Sequence, residues 1–422
     1  MVHKRLSAYV GISLILLVGA QTPALAKVPP PPSTLVIGVD HLDAANQQLD
    51  NHRWFEYTDF FSREVTVHRG EVLDFKLAAG NFGHAIALAG NQAVARQVYP
   101  ILTVDSGDTP ATGTGKPKIE GDTPGAFSIF HGSTAGGGTI GTDPSGQTPP
   151  PCGTPGSPGG AICTFTGADD IEAAGPMFGT DQSGNPVTRD WQIQIDAPPG
   201  QYDFLCFFHP GMQGHVEVVD RDDRVTSQAA GDARARVQFQ IDRARGREAE
   251  EEANVVRFSG GQPGTRTYDV SVGVGAADEH LNVLEMLPQH LALVDGDAVA
   301  YHWRSPNEIH SVSFIGSQKE PAPFGFDCGT TFQSPGPTAP CIDPIDKRPE
   351  LIADPGTAAS GSPLQSPTAL LDAGVLIGED NHVNPSAREW SIRTTSSTVA
   401  STYEYQCVVH DLMHGTLSVR SH

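Results

Sequence analysis

The sequence predicts an all-β protein built from two related units in tandem, and three observations carry the prediction. The 422 residues include 46 Gly and 34 Pro but only 7% aromatic residues, a composition of many turns and short strands rather than of a helical bundle. Apolar residues recur at every second position in short runs, as at Leu73, Phe75 and Leu77, which is the period of a half-buried strand. The chain is also written twice: residues 59–88, "DFFSREVTVHRGEVLDFKLAAGNFGHAIAL", align without a gap to residues 285–314, "EMLPQHLALVDGDAVAYHWRSPNEIHSVSF". A chain of this length can bury two or three separate cores.

Taken in order, residues 1–26 join a basic start at Lys4 and Arg5 to the apolar run "ISLILLVG" and the small-residue ending Ala24-Leu25-Ala26, the pattern of a secretory signal peptide. No cysteine near that ending could take a lipid, and no second long apolar run follows. The expectation is an exported protein, periplasmic or secreted, with no membrane anchor. Residues 27–222 make the first unit. Its Gly70 falls on Gly296 of the second copy, its His84 on His310, and Leu73, Phe75 and Leu77 on Val299, Tyr301 and Trp303. The two histidines share parity with Ile86 and Leu88 in one copy and Val312 and Phe314 in the other, so each is expected to point into its own core.

Further on, "NPVTRDWQIQI" at 185–195 matches "NPSAREWSIRT" at 384–394. Each copy then runs through an alternating strand, "YDFLC" or "YEYQC", into "CFFHPGM" at 206–212 or "CVVHDLM" at 407–413, and ends in a short strand, "GHVEVVD" or "GTLSVRS". Residues 223–262 are charged and rich in helix formers, which predicts a partly helical linker with a solvated face. Residues 263–422 make the second unit. The copies differ chiefly in a Gly/Pro-rich insert between the lone histidine and the cysteine, longer in the first.

A formal charge of -22 argues against nucleic acid and against an anionic membrane surface as partners. Of the six cysteines, Cys152 and Cys163 lie in one Pro/Gly-rich insert and Cys328 and Cys341 in the other, and two structural disulfides are the economical expectation in an oxidising compartment. Cys206 and Cys407 are then left over, one in each C-x-x-H-x-x-M segment. An unpaired thiol there needs a reason to stay unpaired, and a metal supplies one.

A thiolate at a strand end, an imidazole three residues later in a tight turn and a thioether three beyond that can converge on one point if a neighbouring strand adds a second imidazole. Two imidazoles and a thiolate in a plane, with a weak axial methionine, are the donor set of a blue-copper site; the soft sulfur pair holds Cu(I), while imidazole suits both oxidation states. A zinc site rarely uses methionine.

"YDFLCFFHPGMQGHVEV" and "YEYQCVVHDLMHGTLSV", with "NFGHAIAL" and "EIHSVSF" upstream, resemble the cupredoxins, in particular the plastocyanin, pseudoazurin and amicyanin group; the short gap between loop histidine and methionine looks most like amicyanin. The resemblance covers both arms of each copy and leaves out the inserts and the linker. It implies two tandem Greek-key β-sandwiches and two type 1 copper ions. By position, the implied ligands are His84, Cys206, His209 and Met212 in the first copy and His310, Cys407, His410 and Met413 in the second. The family often has a polar residue after the upstream histidine, hydrogen-bonded near the ligand loop; here Ala85 follows His84 whereas Ser311 follows His310, so the two sites are expected to differ.

The function expected is electron transfer with a redox partner protein bearing a basic docking patch, and no enzymatic activity. The alternatives are a two-domain multicopper oxidase or nitrite-reductase-like enzyme, and a copper storage or delivery protein. Against the enzyme, none of the 16 histidines forms an H-x-H pair, and Leu205, Phe207, Gln406 and Val408 flank the cysteines where such enzymes place histidine. A further copper centre would need isolated histidines such as His41, His52, His68 or His382 to meet across an interface. Against delivery, the whole chain has five methionines, too few for an exposed Met-rich run.

Overall fold

Alternation of apolar and polar residues, read in space, produces two sandwiches whose inner faces carry the buried set. The computed structural model describes residues 33–41, 55–80, 83–91, 101–104, 117–120, 162–168, 170–177, 179, 185–206, 209, 211–275, 280–305, 308–321, 324–327, 332–333, 351–353, 356, 358–377, 389–410 and 412–421. The expected signal peptide lies outside these residues, as do Cys152, Cys328 and Cys341; Cys163 is described and buried. Among the described residues no helix is long and apolar enough to cross a membrane.

The first sandwich is built from β1 (Thr34–Val39), β3 (Phe60–Phe61), β4 (Glu64–His68), β5 (Val72–Leu77), β6 (His84–Ala89), β9 (Cys163–Phe165), β10 (Ile171–Met177), β11 (Arg189–Ile195), β12 (Gly200–Cys206) and β13 (Gln213–Val219). One sheet runs β3-β1-β5-β11-β9 and the other β10-β6-β12-β13-β4. The second sandwich uses β15 (Thr267–Gly275), β16 (Asn282–Leu287), β17 (His290–Val294), β18 (Ala298–Arg304), β19 (Ile309–Phe314), β23 (Ser362–Pro363), β24 (Leu371–Ile377), β25 (Glu389–Arg393), β26 (Thr402–Gln406) and β27 (His414–Arg420). Its sheets include the paths β16-β15-β18-β25-β23 and β17-β27-β26-β19-β24, so the strand order of the first copy recurs element by element. The tandem cupredoxin-like β-sandwiches expected from the repeat are the architecture of the protein.

Equivalent residues do equivalent work. Gly70 and Gly296, at φ 96° and 93°, turn β4 into β5 and β17 into β18, a left-handed backbone that glycine adopts without steric cost. Phe75 stacks on Trp191 at 5.4 Å and meets Phe204 at 5.2 Å; in the second core Tyr301 meets Trp390 at 5.7 Å and Tyr405 at 5.3 Å. The loop before each cysteine-bearing strand is tied by a tyrosine hydroxyl, Tyr202 donating to the Pro198 carbonyl and Tyr403 to that of Val399. The inserts pair with each other: β7 (Ile101–Val104) and β8 (Pro117–Glu120) of the first copy join β20 (Phe324–Asp327), β21 (Phe332–Gln333) and β22 (Leu351–Ala353) of the second in one sheet.

Residues 33–422 form one compact unit, and the repeat alone does not explain why. The short strand β2 (Phe55–Glu56) leaves the first copy and pairs antiparallel with β16, while β14 (Arg257–Ser259) pairs with β15; together they extend that sheet to seven strands. The predicted linker is α1 (Gln228–Ala253), capped by Ser227, whose hydroxyl accepts from the Ala230 amide. Its charged face is solvated as expected, but a narrow stripe at Gly231, Ala235, Phe239, Asp242 and Gly246 is buried. Phe239 and Ala235 join Phe55, Tyr57 and Phe61 of the first copy and Leu281, Val283 and Leu287 of the second in one apolar cluster.

Candidate metal centre

Each sandwich places its upstream histidine at or near the start of a strand and its cysteine at, or one residue past, the end of the strand beside it. His84 opens β6 and is fully buried; Cys206 closes β12, which pairs with β6 so that Cys206 faces Ile86. The turn from β12 to β13 is closed by its own backbone: the Cys206 amide donates to the Met212 carbonyl at 2.9 Å, and the Met212 amide to that of His209 at 3.0 Å. The second copy repeats both bonds, Cys407 to Met413 at 3.0 Å and Met413 to His410 at 2.9 Å. Both methionines are buried within their cores.

This folding brings three donors together in each half. Cys206 Sγ lies 3.6 Å from His84 Nδ1 and 3.4 Å from His209 Nδ1, and the two Nδ1 atoms are 3.0 Å apart. A point equidistant from the three lies about 2 Å from each, the length of a metal–nitrogen bond, so the donor set fits an ion. In the second half Cys407 Sγ is 3.6 Å from His410 Nδ1, which is 3.2 Å from His310 Nδ1, and all three ligand atoms fall within 4.8 Å of one another. Cys206 and Cys407 are free thiols, each accepting one backbone N–H, from Ala85 at 3.4 Å and from Ser311 at 3.3 Å.

The surroundings of the two sites differ, as the Ala85 and Ser311 positions led us to expect. Ser311 Oγ accepts from the Val408 amide at 2.8 Å and so pins the ligand loop; Ala85 has no side chain to do so. His310 Nε2 is 3.0 Å from Ser305 Oγ, whereas Ala79 occupies the aligned position and His84 Nε2 has no hydrogen-bond partner among the described residues. Beneath His310 lies Gly273 at φ 66°, where a Cβ would come 2.2 Å from His310 Nε2. The first copy adopts the same backbone at Asp40, also φ 66°, whose carboxylate accepts from the Tyr57 amide.

Two carboxylates that sequence reasoning missed complete the region. His209 Nε2 is 2.7 Å from Glu308 Oε1 and 3.3 Å from Glu56 Oε1, while His410 Nε2 is 3.1 Å from Glu308 Oε2. All four residues are buried. β2 brings Glu56 across by pairing it with Asn282. Glu308 precedes His310 by two residues and shares its inward parity, a signal present in the sequence; the aligned position in the first copy is Phe82, so the repeat comparison passed over it.

Charge in the region is organised around the sulfurs. Burial alone would raise the Cys407 thiol, but hydrogen bonds and charge from His310 and His410 bring it well below the usual thiol range. Burial would lower His410, yet the Cys407 sulfur and Glu308 raise it well above the ordinary imidazole value; His209 is raised likewise by Glu56, Cys206 and Glu308. His84 moves the other way, held down by burial and then by His209. Glu308 is pulled below the carboxylate range, against its burial, by the two imidazoles, and Glu56 is pushed up to about 8 by burial and by the charge of Glu308. Cys407 thus stands as a soft anionic donor beside the His410 imidazole, whose proton an ion would displace.

Among the described residues, the other histidines do not join these groups. His41 is buried against Tyr57 and Phe239, and His68 lies on β4 with Nε2 3.0 Å from the Asp223 carbonyl. His52 and His382 lie outside the described residues.

The chain thus has a cupredoxin-like fold with cysteine and two histidines gathered at the end of each sandwich. No family model matches the chain, and no curated protein matches it. Among solved structures, an auracyanin from Roseiflexus castenholzii is similar at 16% identity and TM-score 0.20, covering 44% of this chain and 98% of its own. A copper-containing nitrite reductase from Thermus scotoductus SA-01 is similar at 10% identity and TM-score 0.19, over 92% of this chain and 68% of its own. The multicopper oxidase mgLAC is similar at 9% identity and TM-score 0.18, over 92% and 86%.

The expectation that the chain has no enzymatic activity is corrected. It rested on histidines too scattered to build anything beyond the two cysteine sites. Folding supplies donors that histidine spacing did not count: Glu56, His209 and Glu308 offer ligand atoms within 4.8 Å of one another where the sandwiches meet. Copper enzymes are among the solved structures to which the chain is similar.

Proposed function

We propose that the protein is an exported redox protein holding one type 1 copper ion in each sandwich, at His84, Cys206, His209 and Met212 and at His310, Cys407, His410 and Met413, with amicyanin-like loops. The observation that carries this reading is the triangle of Cys206 Sγ, His84 Nδ1 and His209 Nδ1, with edges of 3.0–3.6 Å, its counterpart in the second half gathering the same three donor types within 4.8 Å. When bound there, copper supplies a one-electron couple. The chain holds the donors on rigid strand ends and a backbone-closed turn, so that little moves between oxidation states, and its buried methionines and aromatic cores exclude water. With a charge of -22, the partner that fits is a redox protein with a basic docking patch, and raising salt should slow their exchange.

A second reading, a two-domain copper enzyme, is favoured by the third donor group at Glu56, His209 and Glu308. Copper stoichiometry with absorption spectroscopy separates the two. Two intense blue centres and no further copper support the relay; a third copper together with turnover of nitrite or a phenol supports the enzyme. Cys206→Ser should abolish one blue centre and leave the other, and loss of both, or of neither, would refute the assignment of ligands by copy.

A further inference from the structure

We propose that Glu308 joins the two metal centres into one coupled unit, so that a metal ion at either centre weakens the hold of the other. The inference rests on the metal-binding reading above and goes beyond it, because two independent sites would satisfy that reading equally well.

The geometry is that of one carboxylate shared between two ligands. His209 and His410 belong to different sandwiches, and each turns Nδ1 toward its own thiol and Nε2 toward Glu308. One oxygen of Glu308 takes His209 at 2.7 Å and the other takes His410 at 3.1 Å, with the Ile309 amide also donating to the second oxygen at 3.2 Å. Relative exposures of 3% for His209, 6% for His410 and 5% for Glu308 leave water little part in the bridge. A carboxylate hydrogen-bonded to the far nitrogen of a ligating imidazole raises that ligand's basicity and with it the affinity for the ion.

One negative charge is divided between two such imidazoles. A cation on His209 Nδ1 polarises its Nε2–H, draws Glu308 toward that donor and leaves less charge to support His410; the same holds in reverse. The sign is therefore negative, and by linkage the factor must be the same whichever site is filled first. Couplings of this kind typically amount to about 5- to 150-fold, and with hydrogen bonds on both sides we expect about tenfold. In potential, tenfold for a one-electron couple is ~59 mV.

The test uses the full chain and copper itself, with affinity as the readout. The second site's Cu(II) affinity is measured in competition with a chelator, through its thiolate absorption, once with the first site loaded and once in Cys206→Ser, where it is vacant. Filling the first site should weaken the second about tenfold. In Glu308→Gln the difference should fall below about twofold. Glu308→Asp keeps the charge but is one methylene too short to reach both imidazoles, and should lose coupling likewise while retaining two blue centres. Equal affinities with the first site filled or vacant would overturn the proposal, as would undiminished coupling in both Glu308 variants, which would mark it as acting through space. Absence of thiolate–copper absorption at either cysteine would fall on the metal-binding reading itself and remove the basis of the coupling; a normal far-ultraviolet circular dichroism spectrum of each variant shows that loss of coupling is not loss of fold.

Discussion

Phe239→Ala tests whether the helix between the copies is a spacer or a clamp. The side chain is 0% exposed and is the largest apolar group that α1 buries. Its ring lies 4.9 Å from Tyr57 and 5.9 Å from Phe61, and the cluster around it draws on residues of both sandwiches. Truncating a fully buried phenylalanine costs about 3–5 kcal/mol, the transfer of the ring plus the cavity left behind. The two ring contacts account for ~0.5–1.5 kcal/mol each of interaction beyond area. Val237→Ala on the same helix, at 61% exposure, serves as the control and should stay within about 0.5 kcal/mol. Urea unfolding followed by near- and far-ultraviolet circular dichroism reads both. We expect the Phe239 variant to lose about 3–5 kcal/mol from the transition that separates the sandwiches, and with it the coupling assigned to Glu308. A loss below about 1 kcal/mol, or an equal loss in Val237→Ala, would refute the clamp and return α1 to the role of a tether.

Gly273→Ala should remove one centre selectively, because the new methyl would stand 2.2 Å from His310 Nε2 and 2.4 Å from Ser305 Oγ at a φ of 66°. Copper stoichiometry should fall from two to one with the Cys206 centre intact; two retained centres would refute it. Asp242 offers a pH test away from the centres. It is pushed up to about 7 by burial and by the charge of Asp59, against the lowering effect of Arg63, whose guanidinium lies 2.9 Å from it. A carboxylate raised above its unfolded value of ~3.9 holds more protons in the folded state, so its contribution to stability falls as pH rises from about 4 to 7. Asp242→Asn should compare less favourably with the wild type at pH 5 than at pH 8, and a pH-independent difference between their urea midpoints would contradict the assignment.

Much of this fold is legible along the chain because it depends on local period and on repetition. Alternation at Leu73, Phe75 and Leu77 places one face of β5 in the core wherever the strand pairs, and the same parity at His84 and His310 sends both imidazoles inward. The C-x-x-H-x-x-M turn is short enough that its own backbone bonds bring cysteine, histidine and methionine together. These features need no knowledge of what lies across the sandwich.

The stripe on α1 was hidden for a different reason: Gly231, Ala235 and Gly246 are small, so the helix reads as polar all round although Gly246 abuts Leu281. Glu56 carried no spacing relative to the ligand motifs and Glu308 only the inward parity it shares with His310, and only the pairing of β2 with β16 sets one beside the other. What the sequence determined by itself is two β-sandwiches, each with a set of soft and imidazole donors, since period and short-range spacing act within a strand or a turn. That the two sets face each other through a single buried carboxylate was decided by tertiary structure alone, because hydrogen bonds between residues 99 and 102 positions apart depend on how whole sheets dock and leave no trace in any local pattern.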